Sequence, residues 1–211
     1  MSHYTTTGLE HRKIGFWTFI GSECMLFGSL IATYLVYKPK SLLGVGPHPH
    51  IPWTDPSTGQ VFKPILNIPV TSASAAVLLF SSVSMVLAYE AVKHRNDGTL
   101  KGIWASSKVW LWVTIIFGIA FLTLQSYEFT SFVHEGLTIT RNLFGSSFYT
   151  LTGFHGAHVT VGVLWLMSLL AIDYKRGLQP KDAPTVDIAA LYWHFVDVVW
   201  IAIFTLIYLI Q

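Results

Sequence analysis

Five long apolar segments constrain the fold of this 211-residue chain more than any other feature of its sequence. A helix needs about 20 apolar residues to cross the hydrocarbon core of a bilayer, and each segment reaches that length. Only 11% of the residues are charged, whereas a soluble domain carries about 25%. We therefore predict an all-α membrane protein, a single domain over residues 1–211 built as a bundle of five transmembrane helices. The predicted spans are about 14–37, 69–92, 109–133, 148–172 and 188–210.

The connectors between the spans contain the residue types that form turns. Proline and glycine, Pro39 among them, crowd the first connector and predict an extended surface segment without helix. Gly98 marks the second connector, Gly145 the third and Pro184 the fourth. These positions divide the chain into its predicted helices.

The basic residues predict how the bundle is oriented, because cytoplasmic connectors of membrane proteins carry an excess of Lys and Arg. The N-terminal side carries nine of them: Arg12, Lys13, Lys93, Arg95, Lys101, Lys108, Lys175, Arg176 and Lys181. The opposite side carries four: Lys38, Lys40, Lys63 and Arg141. We therefore expect the N-terminus in the cytoplasm and the C-terminus outside.

Charge, cysteine and aromatic content exclude some classes of protein and site. A formal net charge of +2 is too small to indicate a nucleic-acid partner. Cys24 is the one cysteine, so it cannot form an internal disulfide or a Cys-rich metal site. Six aromatic residues fall near predicted membrane interfaces, where an aromatic belt is expected, and we interpret them as interfacial anchors: Trp17, Trp104, Trp110, Trp112, Trp193 and Tyr208.

Ionisable residues inside the spans are the candidate functional residues. A charge in the hydrocarbon core is costly unless it faces protein, water or a bound group. Counting about 1.5 Å per helical residue, we place Glu23, His158 and Asp197 in one layer near the middle of the membrane. The other candidates lie further outward or inward in their spans: His155, Glu128 and His194. Such a layer could relay protons, although a continuous path is not visible in the sequence.

His194 and Asp197 are three residues apart, so on a helix they fall on roughly one face and can touch. The residues alone support two interpretations of this pair about equally. It is either part of a functional site or a structural hydrogen bond that fixes the last helix to its neighbours.

A metal or haem centre fits the sequence less well than a proton relay or a structural pair does. His155 and His158, like His194 and Asp197, offer two ligands at helical spacing. Di-metal carboxylate bundles, however, use Glu-x-x-His pairs, and no Glu in this chain has a His three residues later. We therefore predict no catalytic residue and no metal ligand in this chain.

Four runs of residues form a recognisable set of motifs: Phe19-Ile-Gly-Ser-Glu-Cys-Met-Leu-Phe27, Leu124-Gln-Ser-Tyr-Glu128, the run from Gly145 to Gly162 that contains His155-Gly-Ala-His158, and Tyr192-Trp-His-Phe-Val-Asp-Val-Val-Trp200. Together they resemble subunit III of the haem–copper oxidases. The resemblance extends from about Gly15 to Ile210 and keeps the order and spacing of the motifs. The chain is similar to the five-helix form of the family, which lacks the first two of the usual seven helices.

The resemblance implies a non-redox accessory subunit of a terminal oxidase of aerobic respiration in a bacterial-type plasma membrane. Its partners would be oxidase subunits I and II and membrane lipids, with no nucleic acid. Haem and copper would reside in the partner subunits, and this chain would bind no redox cofactor, while phospholipid is allowed. By motif, Glu23 matches a reactive buried carboxyl, and the remaining candidates match the polar interior of the family: Glu128, His155, His158, His194 and Asp197.

Three alternatives stay open from the sequence. The chain could be the equivalent subunit of a quinol oxidase or a nitric oxide reductase, since the electron donor is set by other subunits. It could also be a standalone proton-coupled transporter, although no repeat symmetry or broken helix pair supports that. A di-metal membrane enzyme would require bound metal in the isolated chain.

Overall fold

The computed structural model describes residues 11–41, 53–54, 59, 61–62, 68–134, 136–140 and 143–209. Five long helices occupy most of this part of the chain, and each is long and apolar enough to cross a membrane. They are α1 (His11–Ser41), α2 (Ile68–Lys93), α3 (Ser107–His134), α4 (Leu143–Lys175) and α5 (Ala183–Phe204). The prediction of an all-α bundle with five membrane helices is confirmed.

Short elements complete the described chain. Two-residue strands β1 (Trp53–Thr54) and β2 (Val61–Phe62) pair antiparallel within the first connector. These strands are extended, as predicted for that connector, most of which lies outside the described residues. Single 3₁₀ turns precede α3 and α5, and a π-helical turn follows α5: Gly102–Ala105, Pro180–Asp182 and Thr205–Leu209.

The first four helices are longer than the predicted spans, whereas α5 has nearly the predicted length and begins earlier in the chain. Hydrophobicity marks only the part of a helix inside the hydrocarbon core, whereas backbone hydrogen bonding continues into the interface. α4 begins at Leu143, so Gly145 is a buried helical residue and not the turn residue that we expected. α5 begins five residues early with Pro184 in its first turn, where the missing N–H costs no helical hydrogen bond. α1 likewise continues past Pro39.

α5 is the central helix of the bundle. It packs against α2, α4 and α1, and its aromatic side chains also reach α3. The other four helices form an arc around it in the order α2, α3, α4, α1, with α2 and α3 in the most extensive contact. α1 closes one end of this arc and is the least buried of the five.

Trp193 of α5 contacts three other helices at once. A Cβ atom added at Gly118 of α3 would lie 2.8 Å from its ring, and one added at Gly162 of α4 would lie 2.9 Å from it. Its indole Nε1 donates a hydrogen bond of 3.0 Å to Ser81 Oγ of α2. The prediction that Trp193 is an interfacial anchor is therefore wrong, because glycines on two helices open a slot that takes the ring into the core, where it is 1% exposed. Tyr208 is also buried.

α1 is held at its N-terminal and central parts by contacts of different kinds. Lys13 Nζ lies 2.6 Å from Asp187 Oδ2 near the start of α5. Further along α1, the ring of Phe27 packs edge-on against His158 of α4 and Phe195 of α5. Few other α1 side chains are buried, so these contacts account for much of its attachment.

Replacing Gly162 by Ala should lower the free energy of unfolding by about 1–3 kcal/mol, because the new methyl group would press on the rigid ring of Trp193. Gly153→Ala is the matched control, since a Cβ there meets no atom within 4 Å. It should leave stability unchanged or raise it slightly. Unfolding of the detergent-solubilised protein in increasing dodecyl sulfate, followed by circular dichroism, measures both. Equal stabilities for the two variants would show that the slot around Trp193 is loose.

Candidate functional site

Glu23 of α1 and His158 of α4 form a pair inside the bundle. His158 Nε2 lies 3.1 Å from Glu23 Oε2, and His158 Nδ1 lies 2.8 Å from the carbonyl oxygen of Phe154. A carbonyl only accepts, so Nδ1 carries a proton and donates it to Phe154. The contact between Nε2 and the carboxyl group then needs one further proton between them. The geometry therefore places one proton between Glu23 Oε2 and His158 Nε2.

The surroundings of this pair place it at the edge of the bundle. The side chains of Glu23 and His158 are 16% and 17% exposed. An open groove of about 360 Å³ runs beside His158, between α1, α4 and α5. Its walls are mostly aromatic or apolar: Phe19, Phe154, Ala157, Val161, Trp165 and Tyr192. The Tyr192 hydroxyl donates to the backbone carbonyl of His158 at 3.1 Å, which ties α5 to the same turn of α4.

His194 and Asp197 of α5 both face Ser82 of α2 but are not bonded to each other. His194 Nδ1 lies 2.6 Å from Ser82 Oγ. Asp197 is 3% exposed and lies beside the same hydroxyl group, yet its carboxyl oxygens make no hydrogen bond of ordinary geometry with any described residue. The contact between His194 and Asp197 that the three-residue spacing allows is absent. Each side chain instead turns towards α2. Asp197 therefore lies on a different side of α5 from the Glu23–His158 pair.

His155 packs as an aromatic ring. It is fully buried, stacks on Trp200 with ring centroids 4.9 Å apart, and meets Phe121 edge-on at 5.7 Å. Neither ring nitrogen has a hydrogen-bond partner among the described residues. His155 thus faces α3 and α5 while His158 faces α1, and the two do not form a ligand pair. In the described ranges no group of three or more His, Cys, Asp or Glu side chains could hold a metal ion.

Glu128 belongs to a separate polar cluster near the other end of the bundle. Its Oε1 accepts a hydrogen bond of 2.5 Å from Thr71 Oγ1 at the start of α2. The phenol of Tyr208, just after α5, lies beside both groups. This cluster joins α2, α3 and the end of α5. It lies at a different level of the bundle from Glu23. Glu128 is buried, and its contacts hold segments of different helices together.

A buried carboxylate that the sequence analysis missed holds the opposite end of the bundle together. Asp173, in the last turn of α4, is fully buried. Its oxygens lie 3.0 Å from Arg95 Nη1 and 2.5 Å from Ser107 Oγ, and one accepts the backbone N–H of Leu178 at 2.8 Å. Arg95 Nη1 also donates to the Leu178 carbonyl. An acidic residue at a helix C-terminus opposes the helix dipole, and that signal could have identified Asp173 as a residue in need of partners.

The sequence is similar over nearly its whole length to known proteins. The cytochrome c oxidase subunit III family matches residues 2–211. Cytochrome c oxidase subunit 3 of Bacillus sp. (strain PS3) is 40% identical, over 95% of this chain and 86% of that protein. Cytochrome c oxidase subunit 3 of Bacillus subtilis (strain 168) is 39% identical over the same shares. Quinol oxidase subunit 3 of Bacillus subtilis (strain 168) is 36% identical, over 99% of this chain and 91% of that protein.

Replacing Asp173 by Ala should lower the free energy of unfolding by about 3 kcal/mol, because it leaves Arg95, Ser107 and the Leu178 N–H without their shared acceptor. Asp97→Ala is the control, since Asp97 is largely exposed and its side chain pairs with His94 alone among the described residues. Its effect should stay below about 1 kcal/mol. The same detergent unfolding measurement compares the two. A loss at Asp173 no larger than that at Asp97 would contradict a structural role for the buried carboxylate.

Proposed function

The chain belongs to the cytochrome c oxidase subunit III family and is a subunit of a haem–copper oxidase, and we propose that it is the non-redox accessory subunit of that complex in a bacterial plasma membrane. Subunits I and II carry the haem and copper and reduce oxygen. This chain supports proton uptake and protects the catalytic subunit from inactivation. The observation that carries the proposal is the family match over residues 2–211, within which the motif residues Glu23 and His158 meet at 3.1 Å.

The Glu23–His158 pair supports a role in proton supply through its chemistry. One proton lies between Glu23 Oε2 and His158 Nε2, and the second imidazole proton is held on the Phe154 carbonyl. The pair can accept or release its shared proton without moving the backbone, because Tyr192 fixes that turn of α4. The partial exposure of both side chains gives the proton a way in and out at the edge of the bundle.

The proposed orientation places the N-terminus in the cytoplasm. The structure supports it by bringing the basic ends of the helices to one face. Lys13 at the start of α1 pairs with Asp187 near the start of α5, and Arg95 after α2 pairs with Asp173 at the end of α4. The face with nine of the thirteen Lys and Arg residues is then the cytoplasmic one.

We further propose that phospholipid occupies the groove beside His158. Its walls come from three helices and are almost entirely apolar, and one side is open at membrane depth. An acyl chain would cover Trp165 and Phe19 there and shield the Glu23–His158 pair from the rest of the bilayer. This would keep the proton exchange of the pair directed towards the complex.

A quinol oxidase is the second candidate for the complex. Relatives named quinol oxidase subunit 3 match this chain almost as closely as those named cytochrome c oxidase subunit 3. The donor is decided on the complex itself, by measuring oxygen uptake with reduced cytochrome c and with a quinol.

Purification through a tag on this chain in mild detergent tests the proposed function. We expect larger subunits with haem and copper to co-purify, seen in reduced-minus-oxidised spectra and metal analysis. Removal of this chain should shorten the lifetime of turnover and leave the redox centres in place. A chain that purifies alone without haem would contradict the proposal and favour a transporter, and a lone chain with stoichiometric metal would favour a metalloenzyme.

Replacing Glu23 by Gln in the complex should leave assembly and the initial rate near wild type but shorten the time to inactivation several-fold. The amide keeps the shape of the side chain but cannot exchange the proton shared with His158. Glu90→Gln is the control, because Glu90 lies at the end of α2 and pairs with Lys93 and His94 near the surface. Continuous oxygen-electrode traces give both the rate and its decay. Matching decay in the two variants would remove Glu23 from proton supply.

A further inference from the structure

A second cavity, of about 250 Å³, lies at the cationic face, where α2 ends and α3 begins. Its volume is several times the ~30 Å³ of a water molecule. Six residues line it: Arg95, Gly102, Ala105, Ser106, Ser107 and Lys108. Because the cavity lies between the end of one membrane helix and the start of the next, it lies at the level of the lipid headgroups.

The charge of the cavity is positive. None of the six lining residues is acidic. Arg95 has one nitrogen committed to Asp173, which neutralises it in part. Lys108 has no carboxylate partner among the described residues, and its Nζ lies 4.7 Å from the ring centroid of Tyr174. Lys108 is therefore the cation that a negatively charged ligand would meet.

The cavity also offers uncommitted hydrogen-bond donors. The Ser106 hydroxyl makes no hydrogen bond with the described residues, whereas Ser107 Oγ donates to Asp173. The backbone N–H groups of Val109 and Trp110 donate to the Ser106 carbonyl. Ser106, Lys108 and Arg95 thus line one space, and a hydroxyl, an ammonium and a guanidinium group are donors that suit the several acceptor oxygens of a phosphate.

An apolar surface continues from the cavity into the membrane. Trp104 packs on Trp110 beside the cavity and is half exposed. Along α3, the exposed side chains of Trp112, Ile116 and Ile119 recur every three to four residues and so form one apolar strip. Trp112 Nε1 donates to Tyr174 OH, the same ring that Lys108 covers, so the strip begins next to the cavity.

We propose that this cavity binds the phosphate headgroup of an acidic phospholipid, with the acyl chains along the exposed strip of α3. Phosphate recognition alone would suit a free anion equally well. The apolar strip distinguishes the two sources, because only a lipid can occupy the cavity and the strip together. Basic pockets between membrane helices at the cytoplasmic side are sites where acidic headgroups bind.

Native mass spectrometry tests the proposal on the full chain with whichever subunits co-purify in detergent. The probes are dioleoyl phosphatidylglycerol, dioleoyl phosphatidylcholine, and inorganic phosphate as a competitor. We expect saturable binding of phosphatidylglycerol that exceeds binding of phosphatidylcholine and that phosphate does not displace. Binding is read directly from mass, so the result does not depend on turnover or on the role of Glu23.

Lys108→Gln should weaken phosphatidylglycerol binding by about fivefold, the effect of one cation near the surface. Lys175→Gln is the matched control, because Lys175 ends α4 at the same face but does not line the cavity. Ser106→Asp provides a second variant. It places a negative charge in the cavity at the residue before α3, where Asp is a favoured helix cap, and should abolish binding without loss of fold.

Three results would overturn the proposal. Equal binding of the two lipids would remove the requirement for an acidic headgroup. Displacement of phosphatidylglycerol by inorganic phosphate would make the cavity a free-anion site. Equal losses in Lys108→Gln and Lys175→Gln, with none in Ser106→Asp, would indicate diffuse surface charge and no site.

Discussion

The insertion of Trp193 between two glycines fixes the geometry of the bundle. Within a membrane, helices gain no hydrophobic energy by leaving lipid for protein, so close packing and interhelical hydrogen bonds must hold them together. Trp193 supplies both, since its ring fills the slot at Gly118 and Gly162 and its nitrogen bonds Ser81. One side chain of α5 thus contacts α2, α3 and α4 together.

The buried polar groups divide into those that join helices and those left without partners. Asp173 and Glu128 join helices at opposite ends of the bundle, and each has hydrogen-bond partners on other segments. Glu23 and His158 join α1 to α4 at the edge of the bundle. Asp197 lacks a bond of ordinary geometry among the described residues, an arrangement that costs free energy in a protein interior. Stability therefore accounts for the groups that join helices but not for Asp197.

The sequence predicted the number of helices and the shared level of Glu23 and His158 better than the directions of the side chains. Apolar length and the helical rise determine depth, so Glu23 and His158 were assigned to one layer, and the structure brings them into contact. Direction is harder, because a membrane helix is apolar both where it meets lipid and where it meets protein, and its pattern marks no inner face. That is why the burial of Trp193 and the turn of His194 towards Ser82 were not anticipated. Asp173 was missed because its partners come from separate connectors.

The pairing of Glu23 with His158 also has a consequence for biosynthesis. The two residues are 135 positions apart in the chain. At elongation rates of about 5–20 residues per second, roughly 7–27 seconds pass between their synthesis. During that interval α1 is in or near the membrane with a carboxyl group whose partner does not yet exist. α1 is thus synthesised well before the helix that carries the partner of Glu23, and the contact between α1 and α4 can form only after α4 has been made.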